Sequence, residues 1–192
     1  MSLTFDEATH TYMVDGRVMP SVTQILEVVD RGLWRVPPDV LEAARLLGTA
    51  VHKATELYDL DDLDASSVAP QVAPYLAAWV KFRRESGFRP TSIEHRLYNP
   101  VYGYCGTLDR VGQLNDKTSL VDVKSGVAWP SHGPQTAAYA AAVKEQEGVR
   151  VDARYAVYLG ADGTYRLVEH ADRADWPTFL ACLTVHRFTK GK

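Results

Sequence analysis

Two aspartates and a lysine can be placed on one patch of the chain by turn chemistry alone. The stretch Gly106-Thr-Leu-Asp-Arg-Val-Gly-Gln-Leu-Asn-Asp-Lys-Thr-Ser-Leu-Val-Asp-Val-Lys124 has its natural reversal at Asn115-Asp116, residue types suited to tight turns. An antiparallel hairpin about that turn pairs Leu114 with Lys117, Val111 with Leu120, Asp109 with Asp122 and Thr107 with Lys124. Alternation puts Lys124 on the face of Asp122 and leaves Leu108, Val121 and Val123 for the core. Like charges directly opposed destabilise a strand pair. Two such aspartates ask for a counter-charge, which Lys124 supplies in part and a divalent cation bound through oxygen supplies in full.

Other residues have the types and spacing to join them. His52 and Glu56 are four apart in Gly48-Thr-Ala-Val-His52-Lys-Ala-Thr-Glu56 and share a helix face. Glu94 stands in the strand-like segment Ser92-Ile-Glu-His-Arg96, and Gln135 and Tyr139 form another same-face helical pair.

The elements that must carry these residues are readable in outline. Leu3–Asp6 and His10–Val14 read as strands, with a turn at Val14-Asp-Gly-Arg17 before Val18-Met19. Ser21 is placed to cap a short helix from Pro20-Ser-Val-Thr-Gln-Ile-Leu. Trp34–Pro38 is a break, followed by a helix over about 39–58 with Leu41, Ala44, Leu47, Val51, Ala54 and Leu57 on its apolar side. Asp59–Asp64 reads as a solvated acidic loop. The pattern then predicts a helix over 72–85, strands over 91–98, 104–114 and 118–124, a helix over 133–146, strands over 152–159 and 165–170, a helix over 175–187 and a frayed tail over 189–192. This order predicts a mixed α/β sandwich around one central sheet.

The 192-residue chain has 21 basic and 24 acidic residues, a net charge of −3, and 46% hydrophobic residues. That is ordinary globular composition and one domain's length, and it excludes a broadly basic nucleic-acid binder. Two cysteines are too few for a four-cysteine zinc site or iron–sulfur cluster. No stretch has the roughly 20 apolar residues of a membrane helix, and the first residues lack the basic and apolar regions of a signal peptide. These features predict a cytoplasmic protein.

The ordered series Gly48…His52, Glu94, Gly106-Thr-Leu-Asp109, Asp122-Val-Lys124 and Gln135…Tyr139 resembles the PD-(D/E)XK nuclease superfamily. Within it the series is most similar to the RecB-type exonuclease group, and His10-Thr-Tyr12, Gly16 and Pro20-Ser-Val-Thr-Gln-Ile-Leu26 resemble the start of small phage and bacterial members. The resemblance implies a restriction-endonuclease-like core, a central mixed sheet flanked by helices, in a single nuclease domain over 1–192. Within that domain, 1–38 is the hairpin and short helix, 39–170 the catalytic core, and 171–192 the C-terminal helix and tail.

It further implies Mg²⁺- or Mn²⁺-dependent hydrolysis of DNA in recombination or repair, by an exonuclease. The alternatives are a structure-specific endonuclease of the same fold and a catalytically silent DNA-binding module. RNA cleavage ranks last, for want of an aromatic-rich RNA-binding strand. By the resemblance, His52, Asp109, Asp122 and the Val123 carbonyl hold metal, and Lys124 acts on water or phosphate. Glu94 binds metal or holds Lys124, and Gln135 and Tyr139 contact DNA or orient the site. Lys81, Arg83, Arg84, Arg89, Arg96 and Lys144 are candidates for phosphate contact. The iron–sulfur branch is excluded by the cysteine count, and a helicase or recombination partner would be a separate chain.

Overall fold

The computed structural model describes residues 1–30 and 36–190. Trp34 and Arg35, the first part of the expected break, lie outside the described residues, as do 191 and 192 of the expected tail.

Two sheets form. The small one is an antiparallel meander of β1 (Leu3–Asp6), β2 (Thr11–Val14) and β3 (Arg17–Met19). Its second turn is made by Asp15 and Gly16, both at positive φ. Helix α1 (Val22–Leu26) follows, closed by a capping box in which Ser21 and Gln24 bond each other's backbone N–H.

The large sheet has the order β4 (Arg89–Asn99), β5 (Tyr104–Leu114), β6 (Lys117–Lys124), β7 (Ala153–Leu159), β8 (Tyr165–Glu169). Every neighbouring pair is antiparallel except β6 and β7, which run parallel on either side of helix α4 (His132–Glu147). Asn115 and Asp116 turn β5 into β6 at φ 51° and 58°, the signature of the hairpin turn that matches strand twist.

Helices cover both faces. One core joins α1, α4 and α5 (Asp175–Lys190) to the sheet through Leu97, Tyr104, Leu108, Val111 and Leu120. The other joins α2 (Pro38–Asp59) and α3 (Ala73–Ser86) to it through Leu114, Val121, Val123 and Val157. The expected mixed α/β sandwich is therefore observed.

Several local expectations are corrected. Of the apolar stripe on α2, only Val51 and Ala54, with Thr55, are buried, and Ala44 is exposed. Helix α5 continues through Lys190 rather than fraying from 189. Asp59 is no solvated loop residue: it ends α2 with its side chain fully buried, joined to Arg110 at 2.7 Å and to Arg83 and Trp79. Arg83 is thereby committed to Asp59 and to the Phe88 carbonyl.

The hairpin register is as expected from Leu114–Lys117 to Arg110–Val121, and the ladder then stops. Thr107 pairs with Arg96 of β4, not with Lys124. Leu108 belongs with Val111 and Leu120 under α4, not with Val121 and Val123 under α2. The cause is the break at Asp109, whose side chain takes over the next rung.

Candidate active site

Where β5 and β6 part, Asp109 Oδ2 accepts the backbone N–H of Val123 at 2.6 Å. A carboxylate replaces a carbonyl in the ladder, so Asp109 is fixed against β6 while its other oxygen stays available. That oxygen, Oδ1, lies 3.5 Å from His52 Nδ1 on α2. Glu94 of β4, the residue beside Asp109 on the neighbouring strand, is held at φ 46°, a left-handed backbone that costs a non-glycine residue roughly 1–2 kcal/mol. Its Oε1 sits 3.9 Å from His52 Nδ1 and accepts Arg110 Nη1 at 3.0 Å. His52, Glu94 and Asp109 thus each bring a ligand atom within 4.8 Å of the others.

Asp122 stands next to this cluster, 1% exposed. Lys124 Nζ lies 2.7 Å from its Oδ2 as an ion pair, and apart from that contact neither oxygen has a hydrogen-bond partner. A buried carboxylate is costly unless hydrogen-bonded or bound to metal. Burial pushes its pKa up to about 6, against the pull of Lys124 and with the help of Asp109.

Lys124 itself resists burial because Asp122 and Asp109 face it, and its pKa is raised. It donates to Gln135 Oε1 at 3.1 Å, and Gln135 reaches Tyr139 Oη at 3.4 Å along α4. His52 is likewise raised: burial works against its charge, and Asp109 and Glu94 outweigh that. Close packing completes the arrangement. A methyl group at Gly106 would come 2.6 Å from Tyr139 Cε1, so only glycine there lets Tyr139 lie across β5.

The residues picked out in the sequence therefore converge. His52, Glu94, Asp109, Lys124, Gln135 and Tyr139 line one concavity of about 550 Å³, and the buried Asp122 lies 2.7 Å from the Lys124 ammonium. Glu94 does not hold Lys124; its partner is Arg110. Arg96 lines the same concavity, while Lys81 and Arg84 line another on α3. A second hollow of about 430 Å³ between α4, β7 and α5 contains none of these residues.

Two functional neighbours were not anticipated, Arg110 and Asp59. Arg110 is wholly buried and bonds Glu94, Asp59 Oδ2, Thr55 Oγ1 and the Asp109 carbonyl, over the Trp79 ring. The available signal was an arginine at a core-facing strand position, which demands a buried acidic partner.

The donor set suits a hard divalent cation. It offers three carboxylates, of which Asp122 has both oxygens buried without a hydrogen-bond partner, and one imidazole, donors that hard divalent cations accept.

No curated protein matches the chain. Among solved structures, one of LHK-Exo in complex with dAMP is similar over 88% of this chain and 85% of that one, at 13% identity and a TM-score of 0.45. A family model described as the PD-(D/E)XK nuclease superfamily matches residues 59–183. That span holds Glu94, Asp109, Asp122, Lys124, Gln135 and Tyr139 in the order the sequence led us to expect, and the chain belongs to the PD-(D/E)XK nuclease superfamily.

Proposed function

We propose that this protein is a divalent-metal-dependent deoxyribonuclease of the RecB-type group, acting as an exonuclease in recombination or repair, with residues 1–192 forming one nuclease domain. The observation that carries the reading is Asp122: a carboxylate buried with no hydrogen-bond partner apart from its ion pair to Lys124, beside a second carboxylate and a histidine. Stability alone gives no reason for it, and chemistry does.

In this reading His52, Asp109, Asp122 and the Val123 carbonyl hold the ion, with Glu94 beside them. The bound ion supplies an activated water and a clamp on phosphate oxygens. Lys124, kept protonated by the two aspartates, stabilises the negative charge that grows on the phosphate as the bond breaks. Gln135 fixes the Lys124 ammonium at 3.1 Å, and Tyr139 fixes Gln135 through its hydroxyl. Asp109 holds β6 at the point where the strands separate, so the carbonyl of Val123 is presented from a braced backbone.

The experiment is incubation of linear and circular single-stranded DNA with Mn²⁺, wild type beside Lys124→Ala. Wild type is expected to consume linear DNA from its ends and leave the circle intact. Lys124→Ala is expected to be slower by about a hundredfold or more, the loss typical of one preorganised charge-stabilising group. Cutting of the circle gives the endonuclease reading instead. Failure to cut either DNA, or equal cutting by the variant, refutes the proposal.

A further inference from the structure

The meander of residues 3–19 lies outside the family match of 59–183, yet it walls the concavity that holds Asp109 and Lys124. It brings a set of planar side chains there. Phe5 and His10 meet edge to face with ring centroids 5.0 Å apart, and Tyr12 lies 4.5 Å from Phe5. From β4, the Arg96 guanidinium lies over the Phe5 ring at 5.0 Å. The Arg96 side chain is 47% exposed and rests 3.3 Å from Glu7, so one face of its plane is backed by Phe5 and its head is open to solvent.

The set is indexed to the site. Tyr12 Oη hydrogen-bonds Thr107 Oγ1 at 2.8 Å, two residues before Asp109. Backbone N–H groups of Ala8 and Thr9 bond Asp6 Oδ1 and close the turn that carries His10. His10 itself is exposed, at φ 51°. An exposed imidazole in a left-handed conformation, on a turn pinned from below, adds little to packing. It is well placed to present a flat face.

Rings and a guanidinium plane at the mouth of a phosphate-cleaving site have a common chemistry. Unpaired bases stack on aromatic side chains and on arginine planes, at about 1–3 kcal/mol per base, with little regard to sequence. Bases inside a duplex already stack on one another and offer no free face. We propose that Phe5, His10 and Arg96 form a subsite that stacks an unpaired nucleobase beside the reacting phosphate, so that the site takes single-stranded DNA. This rests on the DNA-hydrolase reading above.

The test measures binding by fluorescence anisotropy, in EDTA, of a labelled single-stranded oligonucleotide and of an abasic oligonucleotide of equal length. The proteins are wild type, Phe5→Ala/His10→Ala and Arg96→Gln. The double variant is expected to weaken single-strand binding about 5- to 100-fold, the range set by one stacked base, and to leave abasic binding unchanged. Arg96→Gln, which leaves the rings in place, is expected to weaken both, because it removes a charge as well as a stacking plane. Equal single-strand affinity in wild type and double variant overturns the subsite. So does an equal loss on the abasic strand, which would mean the meander has merely come loose. If wild type hydrolyses DNA with Mn²⁺ while the subsite fails, only this proposal falls; if it neither binds nor hydrolyses DNA, the reading beneath it falls as well.

Discussion

Asp122→Asn is expected to abolish DNA hydrolysis, by about a thousandfold or more, and at the same time to raise the melting temperature of the metal-free protein. The two effects have one cause. Asp122 is 1% exposed, and apart from the ion pair to Lys124 neither of its oxygens has a hydrogen-bond partner. Burial lifts its pKa from the usual carboxylate value to about 6. A carboxyl whose folded pKa is raised costs stability once it ionises. That cost is present in full above pH 6 and fades as the pH falls through 6 towards 3.8, where folded and unfolded forms carry the same proton.

Asparagine keeps the shape and an acceptor for Lys124 while removing the charge. At pH 7.5 Tm is expected to rise, because the relief from burying the charge outweighs the loss of the ion pair to Lys124, which Asp109 and Gln135 continue to hold. At pH 4.5 it should largely vanish. Thermal denaturation at the two pH values, beside a DNA hydrolysis assay, reads both halves. A melting temperature that falls at pH 7.5 would assign Asp122 a structural role, and retained activity would remove it from the site.

Arg110→Met is expected to be the most damaging single change to the fold. The guanidinium is fully buried and bridges Asp59 Oδ2 at 2.7 Å and Glu94 Oε1 at 3.0 Å. Removing one member of a buried ion pair leaves a charge without its partner and costs about 3–5 kcal/mol, a fall in Tm on the order of 10 °C. Arg83 remains beside Asp59 and limits the loss; nothing among the described residues replaces the guanidinium beside Glu94.

Glu94 is held at a positive φ, and losing Arg110 frees it to relax out of the site. Arg110→Lys separates the two roles. Its ammonium restores charge near Asp59 and part of the stability, but a single point charge cannot reproduce the fork that spans both carboxylates. Activity is therefore expected to stay low in the lysine variant while Tm partly recovers. Wild-type melting of Arg110→Met, or full activity of Arg110→Lys, would contradict this account.

These two residues also mark how far the sequence could be read. Asp122 was legible because its determinants are local. A two-residue turn fixed the hairpin, and alternation carried the register along it as far as Arg110–Val121. The register failed beyond that point because Asp109 uses its side chain, not its backbone, to hold Val123, and periodicity has no term for such an exchange. It is also why Leu108 joins the other core. Arg110 and Asp59 were missed for a different reason. They are 51 positions apart, and Asp59 heads the acidic run Asp59-Leu-Asp-Asp-Leu-Asp64, where composition suggests solvent. Only the packing of α2 and α3 on the sheet makes that one aspartate an interior residue.

His52, Glu94, Gln135 and Tyr139 were legible as types at spacings, and their convergence depends on tertiary structure. The structure joins Glu94 to His52 and Asp109, and joins Lys124 to Asp122 and Gln135.

The central claim is that these side chains hold a divalent cation, and calorimetric titration with Mn²⁺ tests it most directly. Asp122 must lose its proton to bind metal, and His52, whose pKa is raised by Asp109 and Glu94, must be neutral. Binding therefore releases protons and weakens in acid. The account predicts binding at pH 7.5, an affinity at least tenfold lower at pH 5.5, and loss of binding in Asp109→Asn. Absence of Mn²⁺ binding at pH 7.5, equal affinity at both pH values, or undiminished binding by Asp109→Asn would contradict it.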